Sequence, residues 1–141
     1  MNISKLDTDW KDDKTLRGDA FRYRDLSGEH LGVRLEELSP GATSSEHHYH
    51  TSEEEHVIIL EGAGTLLFGS DEYDVTPGDH FWFKAGEEIA HHLKNTSDAP
   101  LKFLIFGERM ANDVVVYPEH QVMMLKSLGF RQFTYRPLKG E

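Results

Sequence analysis

The sequence predicts an all-β domain, a sandwich or barrel built from short strands. Apolar segments are short and often alternate with polar residues, and turn-forming residues separate them at intervals of about eight to twelve residues. No stretch keeps an apolar helical period long enough for a substantial helix. With 141 residues and no internal repeat or linker, residues 1–141 are expected to form a single domain.

The individual strands are predicted from their alternation and from the turns beside them. The segment up to Thr15 has no regular period and is expected to be a flexible or lightly packed lead-in. The strand predicted at 31–38 places Leu31, Val33 and Leu35 on one face. Other strands are predicted at 21–26, 57–60, 65–69, 73–75, 80–83, 89–93, 101–106, 114–117 and 130–135. Residues 121–127 are compatible with one or two helical turns.

The composition excludes several kinds of protein. A net charge of −10, from 15 basic and 25 acidic residues, opposes binding to nucleic acid. The absence of cysteine excludes disulfides and thiolate metal ligands. The sequence contains neither an apolar signal core nor a membrane-spanning run, so we expect a cytoplasmic protein without a membrane partner.

Imidazoles and carboxylates cluster in residues 47–56. His48 and His50 are two positions apart, so on a strand both side chains point to one face, about 7 Å apart. Glu55 begins the next apolar strand. If Glu55 faces inward, the apolar residues two and four positions later do so too, and His56 points away.

A further ligand has to come from another strand. His91 begins a predicted strand and is followed two positions later by Leu93, although His92 remains an alternative. The candidate metal ligands are therefore His48, His50, Glu55 and His91. Three imidazoles and one carboxylate suit a divalent transition metal, with zinc as the first choice and iron, manganese or nickel as alternatives.

Other polar residues near the cluster are not interpreted as metal ligands. Glu53 and Glu54 are interpreted as charges on a loop, and Tyr49 is expected to face outward. Glu46, His47 and His92 are weak candidates for a catalytic base, because no sequence feature fixes their direction. The catalytic residues therefore stay unassigned. Three isolated histidines are interpreted as ordinary surface or packing residues: His30, His80 and His120.

The clustered residues resemble the two sequence motifs of the cupin superfamily. Gly41 is followed by six residues, His48-Tyr49-His50, four residues, Glu55, six residues and Gly62. In the second motif, Gly78 is followed by Lys84-Ala85-Gly86, four residues, His91, three residues and Asn95. This chain has one extra residue before His48, a lysine in place of the usual proline at 84, and two extra residues before His91.

The resemblance covers residues 31–106 and is closest to small single-domain bacterial cupins, some of which are labelled sugar-phosphate isomerases. It implies a jelly-roll barrel, also called a double-stranded β-helix, with an N-terminal strand near 16–30 and a C-terminal extension at 107–141. It also implies a metal near the barrel mouth, a small anionic or carbohydrate-like ligand and a homodimer. The alternatives to an isomerase or epimerase are a non-catalytic binding or sensing module and an iron-dependent dioxygenase.

Overall fold

The structure is a computed structural model, and it describes residues 5–6, 8–12 and 21–138. The described strands, in chain order, are β1 (Lys11–Asp12), β2 (Phe21–Asp25), β3 (Leu31–Leu38), β4 (Tyr49–His50), β5 (Glu55–Glu61), β6 (Gly64–Phe68), β7 (Asp71–Val75), β8 (His80–Phe83), β9 (His91–Lys94), β10 (Leu101–Glu108), β11 (Val114–Tyr117), β12 (Val122–Leu125) and β13 (Arg131–Thr134). One 3-10 turn, Lys126–Leu128, separates β12 from β13. The predicted all-β class is confirmed.

Two antiparallel faces build a jelly-roll barrel. One face is a six-stranded sheet in the order β1-β2-β3-β10-β5-β8. The other face combines the sheets β13-β12-β11-β4 and β7-β6-β9. Isolated bridges join these two sheets, among them the pairing of His48 with His91. The jelly-roll architecture is therefore also confirmed.

The core lies between the two faces. On β5, Val57 and Ile59 point inward and are almost fully buried, as predicted from the alternation that starts at Glu55. Burying an aliphatic side chain of this size contributes about 1.5–3 kcal/mol. The other buried apolar side chains of this cluster are Phe21, Leu38, Ala42, Leu66, Val75, Phe83, Leu93, Leu101 and Phe103.

Strand β3 turns an unexpected face to the barrel interior. Leu35 is buried but lies outside the core cluster, while Leu38 belongs to it. Arg34 and Glu36, which share the inward face with Leu38, line the barrel cavity. The apolar positions Leu31, Val33 and Leu35 therefore lie on the opposite, outer face of the sheet.

The C-terminal segment differs from the helical turns considered for residues 121–127. Val122–Leu125 is a strand that pairs with β11 on one side and β13 on the other. Backbone hydrogen bonds on both edges outweigh the local helical preference of its methionines and leucine, because tertiary pairing overrides a weak propensity. Only the 3-10 turn beginning at Lys126 is helical in this segment.

The N-terminal lead-in contains a short strand, since Lys11–Asp12 pairs with β2. Residues 16–20 of the predicted N-terminal strand lie outside the described residues, as do residues 139–141 of the C-terminal extension. Within the described ranges, no helix has the length and hydropathy needed to cross a lipid bilayer.

Candidate metal centre

Three strands bring the four predicted ligands together. His50 lies on β4, Glu55 begins β5 and His91 begins β9. His48 precedes β4 and is held to His91 by two backbone hydrogen bonds of 3.3 and 2.9 Å. The ring of His48 lies 5.1 Å from that of His50 and 5.0 Å from that of His91. Ligand atoms of His48, His50 and Glu55 lie within 4.8 Å of one another.

The carboxylate of Glu55 lies between two of the imidazoles. One oxygen is 3.4 Å from Nε2 of His50, and the other is 3.7 Å from Nε2 of His91. Each imidazole has a partner at its other nitrogen. Nδ1 of His48 donates to the Glu46 carbonyl at 2.8 Å, and Nδ1 of His50 lies 2.7 Å from a carboxylate oxygen of Asp113. Because these oxygens accept, the Nε2 atoms are the ones turned toward a metal.

The environment of His91 tests whether a metal fits. Its ring is 3% exposed and stacks on Phe83 with centroids 3.4 Å apart. Nδ1 lies 3.3 Å from the Ile89 carbonyl, while Nε2 is buried without a hydrogen-bond partner. A buried nitrogen without a partner costs free energy unless something binds it. A divalent cation with nitrogen and oxygen ligands fits this arrangement.

The electrostatics of the ligands are strongly coupled. Burial lowers the pKa of His48 to about 4, so its ring is neutral at neutral pH. Burial also opposes the charged form of His50, but hydrogen bonds to Asp113 and Glu55 outweigh it and raise the pKa of His50 to about 9. Burial alone would raise the pKa of Glu55, yet the adjacent imidazoles of His50 and His91 hold this pKa well below its usual range. In the metal-free protein, His50 is therefore an imidazolium paired with two carboxylates.

Asp113 is a central residue that sequence reasoning missed. It is fully buried just before β11, and its second carboxylate oxygen accepts from the backbone N–H of Ser52 at 2.9 Å and of Glu53 at 3.3 Å. Asp113 thus ties His50 to the loop between β4 and β5. No local sequence pattern links Asp113 to a histidine 63 positions away.

Glu53 is a charge on the loop between β4 and β5, as predicted, but its side chain is buried. The carboxylate contacts the ammonium of Lys126 through both oxygens, at 2.5 and 2.7 Å. One of these oxygens also accepts from the Met110 N–H at 2.9 Å. Lys126 lies a further 3.7 Å from Asp113. A buried carboxylate needs such a partner, and the partner here is 73 residues away in sequence.

Other histidines of the cluster lie away from the four ligands. The ring of His47 packs at a tilt against that of His92, with 4.8 Å between centroids, and its Nδ1 lies 3.2 Å from a carboxylate oxygen of Glu119. Nδ1 of His92 donates to the Ser45 carbonyl at 2.9 Å. His56 points to the outer face of the sheet, as predicted, where it stacks on Trp82.

Two further motif residues support the backbone. The amide of Asn95 donates to the Leu38 and Ala99 carbonyls at 2.9 and 2.8 Å. Gly62 has a φ of 81°, and an added Cβ would lie 2.2 Å from the Pro100 carbonyl oxygen. Neither residue offers a ligand atom to the site. Both hold the loops that end the strands carrying the ligands.

The four predicted ligands line a cavity of about 500 Å³ inside the barrel. Its walls combine apolar side chains such as Ile105 and Met124 with polar groups that include Arg34, Tyr117 and Lys126. This volume is in the range of pockets that bind small metabolites. The site can therefore hold an ion together with a small ligand.

Residues 34–107, just over half of the chain, match the family model described as a cupin domain. The chain is a cupin. This cupin is 33% identical to a protein from Silicibacter pomeroyi described as a sugar phosphate isomerase from a cupin superfamily, over 86% of this chain and 82% of that chain, with a TM-score of 0.77.

A second solved structure is that of a protein from Acidithiobacillus ferrooxidans described, provisionally, as a sugar phosphate isomerase. It is 31% identical over 84% of this cupin and 81% of that chain, with a TM-score of 0.74. The polyketide cyclase RemF from Streptomyces resistomycificus is 20% identical over 77% of this cupin and 79% of that chain, with a TM-score of 0.64, and shares the fold alone. No match was found among curated proteins.

Proposed function

We propose that this cupin is a metal-dependent enzyme that isomerises a small oxygenated metabolite of the sugar phosphate class. The observation that carries the proposal is the convergence of three imidazoles on Glu55 inside a cavity, with Nε2 of His91 buried and without a partner. The two relatives above 30% identity, both described as sugar phosphate isomerases, support the choice of chemistry.

The proposed metal ligands are His48, His50, Glu55 and His91, with zinc as the first choice of ion. A divalent metal held there would polarise a substrate oxygen. Glu55 supplies the negative charge, and Asp113 fixes His50 with its Nε2 facing the site. Burial of His91 against Phe83 excludes water from that side.

Isomerisation also needs a group that moves a proton between neighbouring carbons. His92 is among the residues that line the same cavity, and donation from Nδ1 to the Ser45 carbonyl leaves Nε2 with a lone pair. Burial lowers the pKa of His92, so its ring is neutral and able to accept a proton at neutral pH. We assign His92 the role of base.

Tyr117 is placed to donate a hydrogen bond to a substrate oxygen. It lines the cavity, with its ring 5.9 Å from that of His48. Burial, together with the charge of Glu46, raises the pKa of Tyr117. The phenol therefore stays protonated over the working range of the enzyme.

The neighbouring histidines give a matched test. Metal content is measured by elemental analysis, and isomerisation of a panel of aldose and ketose phosphates is followed by NMR. His91→Ala is expected to lose the metal and all turnover. His92→Gln is expected to keep the metal and to lose turnover by about 10²–10⁴-fold, the usual contribution of a general base.

Each outcome bears on a different part of the proposal. Retention of metal by His91→Ala would contradict the ligand set. Full turnover in His92→Gln would remove His92 as the base. A wild-type protein that holds iron and consumes oxygen with the substrate would replace the isomerase by a dioxygenase, and metal binding without turnover would favour a binding module.

We also propose that the protein is a homodimer that pairs through the outer face of the six-stranded sheet. Trp82 and Leu60 lie on that face and are 44% and 36% exposed, and Trp82 stacks on His56. Large apolar side chains exposed on one face favour association. Light scattering coupled to gel filtration measures the mass, and Trp82→Ser is expected to shift it toward the monomer.

A further inference from the structure

Arg34 is a cation inside the barrel that the proposed metal chemistry does not use. It lies on the inward face of β3 and lines the cavity that contains His50 and Glu55. It also lines an adjoining cavity of about 470 Å³, which shares the same two ligands. Its side chain is 38% exposed, so a small molecule that enters the cavity can reach it.

The partners of Arg34 are incomplete. Its Nε is buried and has no hydrogen-bond partner, although it forms an ion pair with a carboxylate oxygen of the buried Glu36 at 3.4 Å. The guanidinium also lies over the ring of Tyr23, with its central carbon 3.9 Å from the ring centroid. Such stacking fixes the plane of the guanidinium and leaves its N–H edge available for hydrogen bonds.

Lys126, a second cation on the cavity wall, is committed to other groups. Its ammonium contacts both oxygens of Glu53, at 2.5 and 2.7 Å, and lies 3.7 Å from Asp113. Two buried carboxylates therefore neutralise it. Arg34 is the better placed of these two cations to meet an anion that enters the cavity.

The row of the sheet next to Arg34 contains two glycines. Gly32 pairs with Gly107 across β3 and β10, and Gly107 pairs with Glu55 across β10 and β5. The side chain of Arg109 lies over Gly32, with its Nε 3.5 Å from the position that a Cβ would take there, so a second guanidinium borders this row. Arg34 lies one row below and two strands from Glu55, which places the two Cα atoms about 12 Å apart. A metabolite of sugar size can span this gap.

We propose that Arg34 binds the anionic end, a phosphate or a carboxylate, of a substrate whose opposite end meets the metal. The inference rests on the proposed function, since it takes the ion at His48, His50, Glu55 and His91 as the second anchor. The planar guanidinium matches the geometry of either anion through paired N–H bonds. Arg34 thereby selects anionic sugars over neutral ones.

The test measures binding by calorimetry to the metal-loaded protein. The probes are D-ribose 5-phosphate, D-ribonate and neutral D-ribose, so the phosphate and carboxylate arms are separate. Arg34→Met keeps a long side chain but removes its charge. Arg34→Lys keeps the charge but removes the paired N–H donors of the guanidinium. Arg22→Met is the matched control, because Arg22 lies on the outer face, pairs with Glu37 and is 39% exposed against 38% for Arg34.

At least one anionic probe is expected to bind the wild type more tightly than D-ribose. Arg34→Met should weaken that binding by about ten- to a hundredfold, the range for a hydrogen bond to a charged group. Arg34→Lys should lose less, and Arg22→Met should bind as the wild type does. Metal content and D-ribose binding should stay unchanged in every variant.

Equal affinity of the wild type and Arg34→Met for both anions would overturn the role of Arg34, as would tighter binding of D-ribose than of either anion. Metal content separates this failure from failure of the proposed function. A wild-type protein that takes up no metal contradicts the metal site itself, whereas a metal-loaded protein with an indifferent Arg34→Met variant contradicts only the anion site.

Discussion

Replacing Asp113 with asparagine tests how the buried carboxylate controls His50. One oxygen of Asp113 lies 2.7 Å from Nδ1 of His50, and the other accepts two backbone N–H groups. Asparagine keeps the shape but offers one acceptor and one donor. If its oxygen serves the backbone, its amide faces Nδ1 and forces the proton of His50 onto Nε2. If the asparagine side chain is rotated by 180°, its NH2 group faces the backbone N–H groups, which are also donors.

The size of the effect follows from these contacts. Loss of a hydrogen-bonded group that orients a metal-binding histidine typically costs ten- to a hundredfold in metal affinity, which corresponds to about 1.4–2.8 kcal/mol. The protein should also lose about 1–3 kcal/mol of stability. One orientation of the asparagine loses the contact between the His50 imidazolium and a carboxylate, and the other leaves the N–H groups of Ser52 and Glu53 without an acceptor. We therefore expect Asp113→Asn to fold with reduced stability and to bind zinc at least tenfold more weakly.

Calorimetric titration of the metal-free protein with Zn²⁺ measures the affinity, and urea denaturation measures the stability. Asp74→Asn is the control, because Asp74 lies on an exposed edge strand and its replacement should change neither quantity. An Asp113→Asn variant with wild-type zinc affinity would refute the argument that Asp113 fixes the ligating nitrogen of His50.

Three further predictions concern stability. Phe130→Gly should stabilise the protein by about 1 kcal/mol, because Phe130 holds a φ of 61° and is 61% exposed. If urea denaturation shows no increase in the free energy of unfolding, the ring of Phe130 contributes stabilising contacts that offset the backbone strain. Gly107→Ala should fail to fold or lose much stability, since its Cβ would lie 2.3 Å from the Glu54 carbonyl oxygen, and a stable variant would contradict this close approach. In the metal-free protein, stability should peak near pH 6.5, as melting temperatures across pH would show. Stability falls from pH 6.5 toward pH 4 because His48 takes up a proton in the unfolded chain at a higher pH than in the folded protein. It falls from pH 6.5 toward pH 9 because His50 is protonated in the folded protein but neutral in the unfolded chain over this range. A melting temperature that does not change with pH would refute this prediction.

Strand positions were largely predictable because strand and turn signals are local. The segment 31–38, for example, coincides with β3, and its alternation is visible in eight residues. The segment at Val122–Leu125 was not predictable in this way. Its strand state depends on pairing with β11 and β13, which local propensity does not encode.

The residues of the candidate site also differ in whether local sequence signals identify them. His48, His50 and Glu55 lie within eight positions and carry a recognisable spacing, and the alternation with Leu93 pointed to His91. The structure brings these four together, and their role as ligands stays a prediction. Asp113 and Lys126 could not be found, because their contacts with the loop after His50 span 60 residues or more.

The inward faces of the strands change from apolar to polar along the barrel axis, and this explains why β3 was hard to orient. On β3 the inward side chains run from Leu38 through Glu36 to Arg34, and on β5 they run from Ile59 through Val57 to Glu55. The lower rows are closed by apolar packing, whereas the upper rows face a cavity that has to receive polar ligands. On this half of β3, the alternating apolar residues Leu31, Val33 and Leu35 therefore indicate packing on the outer face of the sheet. Charged residues at alternate, inward positions of a strand, such as Arg34 and Glu36, are then a sequence signal that the strand lines a ligand cavity.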